Sequence, residues 1–159
     1  MKILAFTGNR ADFYLQLPLY RRLNADKEFN LKLLVSGGIL ADNDSTVLAD
    51  IKNNNLIIGR KIILEKLPKN HSYAICEVIF QTSKYIEELR PDLCIVYADR
   101  FESFGFSVAS FHADIPCLHL EAGDITEGGT YDDQIRHCIS KLSHLFCTST
   151  LKGCDVIKR

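Results

Sequence analysis

The stretch Leu93–Leu120, LCIVYADRFESFGFSVASFHADIPCLHL, decides the fold. It holds two apolar runs of strand length, Leu93–Ala98 and Cys117–Leu120, and the segment Ser103–Phe111 between them has helical spacing. Strands that are apolar on both faces and are joined through a helix predict parallel pairing, because a right-handed crossover lays the helix on one face of the sheet. We therefore predict a β-α-β unit here.

The same alternation of apolar runs and amphipathic segments extends over the rest of the chain. It predicts an α/β, Rossmann-like three-layer sandwich with a mainly parallel sheet and helices on both faces. Leu56–Leu64 also suits a loop before an irregular edge, because Gly59 interrupts it. The other predicted strands are Lys2–Thr7, Leu31–Ser36, Leu56–Leu64 and Leu145–Thr148, and the other predicted helices are Leu15–Leu23, Val47–Asn53, Ala74–Leu89 and Asp132–Leu142.

Length and composition narrow the class of protein. A chain of 159 residues with 47% apolar and 25% charged residues is typical of one globular domain. The net charge of −1 argues against nucleic acids and acidic membranes as partners. Neither a secretory leader nor an apolar run long enough to span a bilayer is present, so we expect a cytoplasmic protein without membrane contact. The six cysteines are scattered without a C-x-x-C pair, which favours reduced thiols.

Polar and glycine residues follow four of the predicted strands. Ligands of doubly wound sheets bind beyond the carboxyl ends of the strands, so these loops are the expected site. They offer glycines, two arginines and several carboxylates along one rim. The four loops are Gly8-Asn9-Arg10-Ala11-Asp12, Gly37-Gly38, Asp99-Arg100-Phe101-Glu102 and Glu121-Ala122-Gly123-Asp124.

The first of these loops suits a phosphate group, with Arg10 as the charged contact, but the triplet Gly8-Asn9-Arg10 taken alone favours a tight turn with a solvated arginine. It matches neither G-x-G-x-x-G nor the P-loop pattern, so NAD and ATP are poorly supported and no cofactor is predicted. No metal site is predicted either, because His137 and His144 lack further ligands at metal spacing.

Three carboxylates are candidates for chemistry. Asp99 directly follows a strand, where it suits either catalysis or a helix cap. Glu121 ends a strand and is not a favoured cap residue, which points to function. Asp132 lies four residues before Arg136 on a helix, so the two side chains can meet. Thr130 and Asp133 have the spacing of a capping box for this helix, and His119, within a buried strand, is predicted to be a hydrogen-bonded core residue.

Four segments together resemble the UDP-N-acetylglucosamine 2-epimerase family: Gly8–Asp12, Ala98–Glu102, His119–Asp124 and Asp132–His144. They occur in the family's order over nearly the whole chain. Asp124 and the run Asp132-Asp133-x-Ile135-Arg136-His137 are similar to the hydrolysing branch, whereas Glu121-Ala122-Gly123 is shared by both branches. The chain departs from many members at Asn9, where threonine is common, and at Ala98, where glycine is common.

This resemblance implies a reaction and a set of site residues. The enzyme would eliminate UDP from a UDP-sugar to form a glycal and hydrate it to free N-acetylmannosamine or a 2,4-diacetamido-6-deoxy analogue, for sialic- or legionaminic-type sugars. The resemblance does not assign which carboxylate is acid and which is base. Asp99, Glu121 and Asp132 are the implied catalytic residues, and Arg10, Gly37, Arg100, Arg136 and His137 are the implied substrate-binding residues, Arg10 toward the diphosphate and Arg136 orienting Asp132 or the substrate.

The family's two-domain, GT-B-like architecture implies that residues 1–159 form an N-terminal Rossmann-like domain. We expect a C-terminal nucleotide-binding domain outside this chain, an inactive isolated chain and a homo-oligomer at full length. Leu151–Arg159, which looks like the opening turns of a further helix, fits a fragment. Three alternatives stay open: a non-hydrolysing epimerase, another GT-B-type nucleotide-sugar enzyme such as a glycosyltransferase, and a non-catalytic UDP-sugar-binding domain.

Overall fold

A six-stranded sheet forms the centre of the protein, in a computed structural model that describes residues 1–41, 45–64, 70–126 and 131–158. Every neighbouring pair of strands is parallel, and the order is β3-β2-β1-β4-β5-β6. The predicted Rossmann-like fold is confirmed. The strands are β1 (Lys2–Thr7), β2 (Asn30–Val35), β3 (Ile58–Lys61), β4 (Leu93–Tyr97), β5 (Cys117–Leu120) and β6 (Leu145–Cys147).

The helices agree with the predicted ones apart from their ends and one addition. The first begins at Arg10 rather than Leu15, because the Asn9 side chain accepts a hydrogen bond from the backbone N–H of Asp12 at 2.9 Å and caps it. The short α2 was not predicted. The helices are α1 (Arg10–Ala25), α2 (Gly38–Ala41), α3 (Ser45–Asn53), α4 (His71–Leu89), α5 (Phe101–His112), α6 (Tyr131–Leu142) and α7 (Leu151–Ile157).

Two hydrophobic cores lie on opposite faces of the sheet and make three layers. Strand β1 shows the alternation: Leu4 and Phe6 belong to one core, and Ile3 and Ala5 to the other. The first core takes its helical side chains from α4, α5 and α6, and the second takes them from α1, α2 and α3. Both faces of the central strands are therefore buried, as their continuous apolar sequence predicts.

The edge strand β3 is shorter than the predicted Leu56–Leu64, and its pairing with β2 shifts register between Leu33 and Leu34. Gly59 leaves room there for the Tyr85 side chain, since a Cβ atom at this position would overlap the Tyr85 hydroxyl unless that ring moved. The irregular edge that this glycine suggests is confirmed. Among the described residues, no helix is both long and apolar enough to cross a membrane.

Candidate active site

A cleft of about 320 Å³ opens at the carboxyl ends of β1 and β4. Strand order reverses between these two strands, so their following loops diverge and leave a crevice between them. The fold therefore brings three of the predicted site residues together here, Asp99, Arg100 and Asp132. The lining residues are Asn9, Asp12, His71, Asp99, Arg100, Phe101, Tyr131 and Asp132.

Asp99 lies just beyond β4 and is bound by Arg136, whose Nη2 donates to Oδ2 of the carboxylate. It does not cap α5, because the N-cap residue is Arg100, which makes no side-chain cap bond. The capping interpretation of Asp99 is therefore wrong. Burial raises the pKa of Asp99, the Arg136 charge opposes this rise, and the neighbouring Asp132 and Glu121 charges add to it. A raised carboxyl pKa suits proton transfer near neutral pH.

Arg136 joins α6 to two other parts of the site. Besides Asp99, its Nη1 donates to the Asp124 carbonyl at 2.9 Å and to Oδ1 of Asp133 at 3.2 Å. In the described part of the chain, Asp132 is not among its partners, contrary to the predicted pairing. Arg136 instead points across to β4, because Asp133, one turn earlier, holds the guanidinium on that side.

The capping box predicted from Thr130, and the glycine loop Glu127–Gly129, lie outside the described residues. The Asp133 carboxylate accepts a hydrogen bond from the backbone N–H of Thr126 at 2.9 Å. Asp133 therefore ties the loop after β5 to α6, which positions Asp132 beside the cleft.

Glu121 follows β5 in the left-handed region, with φ of 59°. Tyr97 and Leu120, the residue before Glu121, are register partners in β4 and β5. Burial and then the neighbouring Glu121 raise the pKa of Tyr97, so its phenol stays protonated. The Glu121 charge thus acts on Asp99, but Glu121 is not one of the residues that line the cleft.

Five residues of the cleft lining were not predicted as site residues: Asn9, Asp12, His71, Phe101 and Tyr131. Asp12 is only 7% exposed, and burial raises its pKa to about 6, while its contacts with Asn9 and Arg100 oppose the rise. Its place in the first turn of α1, directly after β1, is a signal that sequence reasoning can use. The His71 ring stacks on Phe101 with 4.1 Å between centroids, and no sequence pattern singles it out.

The structure does not bring the remaining predicted residues to the cleft lining. Arg10 is exposed, with its guanidinium 5.8 Å from the centre of the Tyr14 ring. Gly37 is buried in the turn after β2, and His137 lines a second cavity of about 480 Å³ with Lys141. Their binding roles stay predictions. No group of histidine, cysteine, aspartate or glutamate side chains able to hold a metal occurs among the described residues.

His119 is a buried core residue, as predicted. Its Nε2 lies 2.7 Å from the Ala98 carbonyl, and its Nδ1 lies 3.0 Å from the Ser140 hydroxyl. Because a carbonyl only accepts, Nε2 carries the proton and donates to Ala98. Ala98 itself has a left-handed φ of 55°, so this bond fixes the strained residue that directly precedes Asp99.

The burial of His119 predicts a loss of stability in acid. Burial lowers its pKa from 6.5 to about 4, so the unfolded chain binds a proton at a higher pH than the folded one. Stability present above the unfolded pKa is therefore lost as the pH falls through this interval, by about 2 kcal/mol from about pH 7 to about pH 5. Urea unfolding at both pH values should show that the native protein loses about 2 kcal/mol more stability over this interval than His119→Gln, a comparison in which the opposite contribution of the raised Asp12 pKa cancels; equal pH dependence in both would contradict the assignment.

The left-handed conformation of Ala98 predicts a stabilising substitution. A non-glycine residue in this region carries a cost of roughly 1–2 kcal/mol, which glycine avoids at some expense of backbone entropy. We expect Ala98→Gly to raise the free energy of unfolding by about 0.5–1 kcal/mol. Urea unfolding of this variant beside Ala109→Gly, within α5, gives the contrast: the second change should destabilise.

Comparison with known proteins points to one family. Residues 21–155 match the sequence model described as UDP-N-acetylglucosamine 2-epimerase. A Legionella pneumophila protein named UDP-N,N'-diacetylbacillosamine 2-epimerase (hydrolyzing) is 31% identical over 152 residues, which are 94% of this chain and 40% of that protein. A Campylobacter jejuni protein named GDP/UDP-N,N'-diacetylbacillosamine 2-epimerase (hydrolyzing) is 30% identical over 152 residues, 93% of this chain and 39% of that protein.

The fold also matches a solved structure. The UDP-GlcNAc 2-epimerase from Neisseria meningitidis, solved with UDP-GlcNAc bound, superposes with a TM-score of 0.88 at 20% sequence identity. The alignment covers 99% of this chain and 42% of that one. The chain thus spans about 40% of the length of the Legionella relative.

Proposed function

The chain belongs to the UDP-N-acetylglucosamine 2-epimerase family, and we propose that residues 1–159 form the N-terminal domain of a hydrolysing 2-epimerase of UDP-sugars. The observation that carries the proposal is the cleft at the β1/β4 switch point, where Asp99, Asp132 and Arg100 meet. The printed names of the Legionella and Campylobacter relatives support the hydrolysing branch. The full-length protein is proposed to be a homo-oligomer.

The proposed reaction needs both a base and an acid. The C2 proton of the sugar is not acidic, so its removal is coupled to departure of UDP: the C2–H electron pair forms the C1=C2 bond while the C1–O bond breaks, and UDP leaves with that bond's electron pair. A proton then returns to C2 from the other face, and a water oxygen adds to C1 and releases its extra proton to a base. The products are UDP and a free sugar of manno configuration.

We assign two kinds of role to the site residues: some act on the substrate directly, and others position those residues. We assign the acid and base roles to Asp99, Glu121 and Asp132, and the contact with the diphosphate to Arg100, with Arg10 at the rim. Arg136 is assigned a positioning role, because its Nη1 and Nη2 groups are engaged by Asp99, Asp133 and the Asp124 carbonyl. Ordered carboxylates in a half-buried cleft are the arrangement that acid–base catalysis requires.

We expect the 159-residue chain alone to release no UDP from UDP-N-acetylglucosamine. The proposed second domain is needed to exclude water and to complete the grip on the nucleotide. A coupled assay for free UDP, run at high enzyme concentration, tests this expectation. Turnover by the isolated chain at rates ordinary for enzymes would contradict the two-domain proposal.

The function is tested with the full-length protein and two substrates, UDP-N-acetylglucosamine and UDP-N,N'-diacetylbacillosamine, the sugar nucleotide that the names of both bacterial relatives contain. NMR identifies the product. A free manno-configured sugar with UDP supports the proposal. A sugar that is epimerised but still attached to UDP indicates the non-hydrolysing reaction, and tight binding without turnover indicates a binding domain.

A further inference from the structure

Glu102, in the first turn of α5, is a fully buried carboxylate beside the cleft. It lies under the loops that follow β1 and β2: a Cβ atom at Gly37 would be 2.7 Å from its Oε1. A buried carboxylate is costly unless it is paired and hydrogen-bonded, so a partner must neutralise it.

That partner is Arg100, which lines the cleft. Its Nε lies 3.1 Å from Oε2 of Glu102 and its Nη2 lies 3.3 Å from Oε1, so the carboxylate grips the guanidinium from one side. A guanidinium has five N–H donors, and this contact leaves the Nη1 group unengaged by Glu102. Arg100 is also the only arginine or lysine among the described residues that line the cleft.

We propose that Glu102 is a positioning residue, which holds the Arg100 guanidinium in the cleft so that its remaining N–H groups bind the oxygens of a phosphate-type anion. Only the identification of that anion as the diphosphate of a UDP-sugar rests on the proposed function. A free arginine side chain has many rotamers, and ordering it in the folded protein removes that entropic cost from the binding step. Arg10 is exposed, and no salt bridge to a carboxylate holds it among the described residues.

The pairing pattern in the cleft favours Arg100 over Arg136 as the anion contact. Arg136 is occupied by Asp99 and Asp133, whereas in the described part of the chain the one ion pair of Arg100 is with Glu102, which is fully buried. The Glu102 carboxylate therefore orients the guanidinium without competing for its open side.

The test measures the affinity of the chain for UDP and for inorganic pyrophosphate by calorimetry. We expect Glu102→Gln to weaken both affinities at least about tenfold. Glu88→Gln is the matched control, because Glu88 also pairs with an arginine through both carboxylate oxygens, which accept from Nη2 of Arg60 at 2.7 and 2.8 Å on the exposed surface. It should leave both affinities unchanged.

Two further variants separate positioning from general structural damage. If Glu102 acts through Arg100, the double variant Glu102→Gln/Arg100→Gln should bind as weakly as Arg100→Gln alone, and Glu102→Asp should restore part of the affinity. NMR of arginine-labelled protein gives a direct signature: the Arg100 Nε–H signal should be slow to exchange in the native protein and lose this protection in Glu102→Gln.

Several outcomes overturn the inference: no binding of either anion by the native chain, native affinity in a folded Glu102→Gln, or an Nε–H signal that this change does not alter. If circular dichroism shows that Glu102→Gln is unfolded, Arg100→Lys is measured in its place. Lysine keeps a positive charge beside Glu102 but lacks the two-nitrogen contact of the guanidinium, so native affinity in Arg100→Lys also overturns the inference. If Glu102→Gln loses affinity but the full-length protein turns over no UDP-sugar, the inference stands and the proposed function fails.

Discussion

Asp99→Asn is expected to lower turnover of the full-length protein roughly a thousandfold while leaving its fold intact. The change removes the proton-transfer group whose pKa is raised by burial, and it keeps the shape of the side chain. The amide oxygen can still accept from Arg136, so the link between β4 and α6 persists. Turnover is measured from UDP release at saturating substrate, and circular dichroism reports on the fold.

The matched control for this prediction lies at the other end of the same strand. Asp92, just before β4, accepts a hydrogen bond from the backbone N–H of Lys2 at 2.7 Å and is exposed. Asp92→Asn makes the same chemical change far from the cleft and should leave turnover within about twofold. If Asp99→Asn and Asp92→Asn had equal turnover, the assignment of Asp99 to the chemistry would be rejected. Glu121→Gln should behave like Asp99→Asn, because both carboxylates are assigned to proton transfer.

The central strands were predictable because burial on both faces leaves a continuous apolar run. The predicted bounds of β1 and β5 match the structure, Lys2–Thr7 and Cys117–Leu120. Less regular elements deviate for local reasons. The start of α1 depends on the side-chain cap at Asn9, and β3 is cut short at an edge where Gly59 makes room for Tyr85.

The site was predictable in part for a topological reason. Parallel strands place their carboxyl ends on one rim, so Asp99 and Glu121 were expected there from their positions in the sequence alone. The partner of Arg136 was not predictable, because Asp99 is 37 residues away and only the packing of α6 against the sheet brings the two together. His71 is a similar case, since its stacking on Phe101 depends on the contact between α4 and α5.

Gly37 was predicted to bind substrate through its open backbone, but its surroundings give it a steric role. Its φ is +59°, and a Cβ atom there would lie 2.4 Å from the Gly8 carbonyl oxygen and 2.7 Å from Oε1 of Glu102. The first clash is with backbone and cannot be relieved by a rotamer change. The glycine thus lets the loops after β1 and β2 pack over the buried Glu102 carboxylate.

Gly37→Ala is therefore expected to reduce the free energy of unfolding by about 4 kcal/mol, from a left-handed alanine and a forced shift of packed backbone. Gly8→Ala is the control, because its Cβ would meet only the Phe6 ring, at 3.4 Å, and Cβ of Glu102, at 3.9 Å. It should cost less than about 1 kcal/mol. Urea unfolding of both variants decides between two roles for Gly37. Native stability with weakened UDP affinity would restore the ligand-binding role, whereas loss of stability shows that the glycine is needed for the two loops to pack over Glu102.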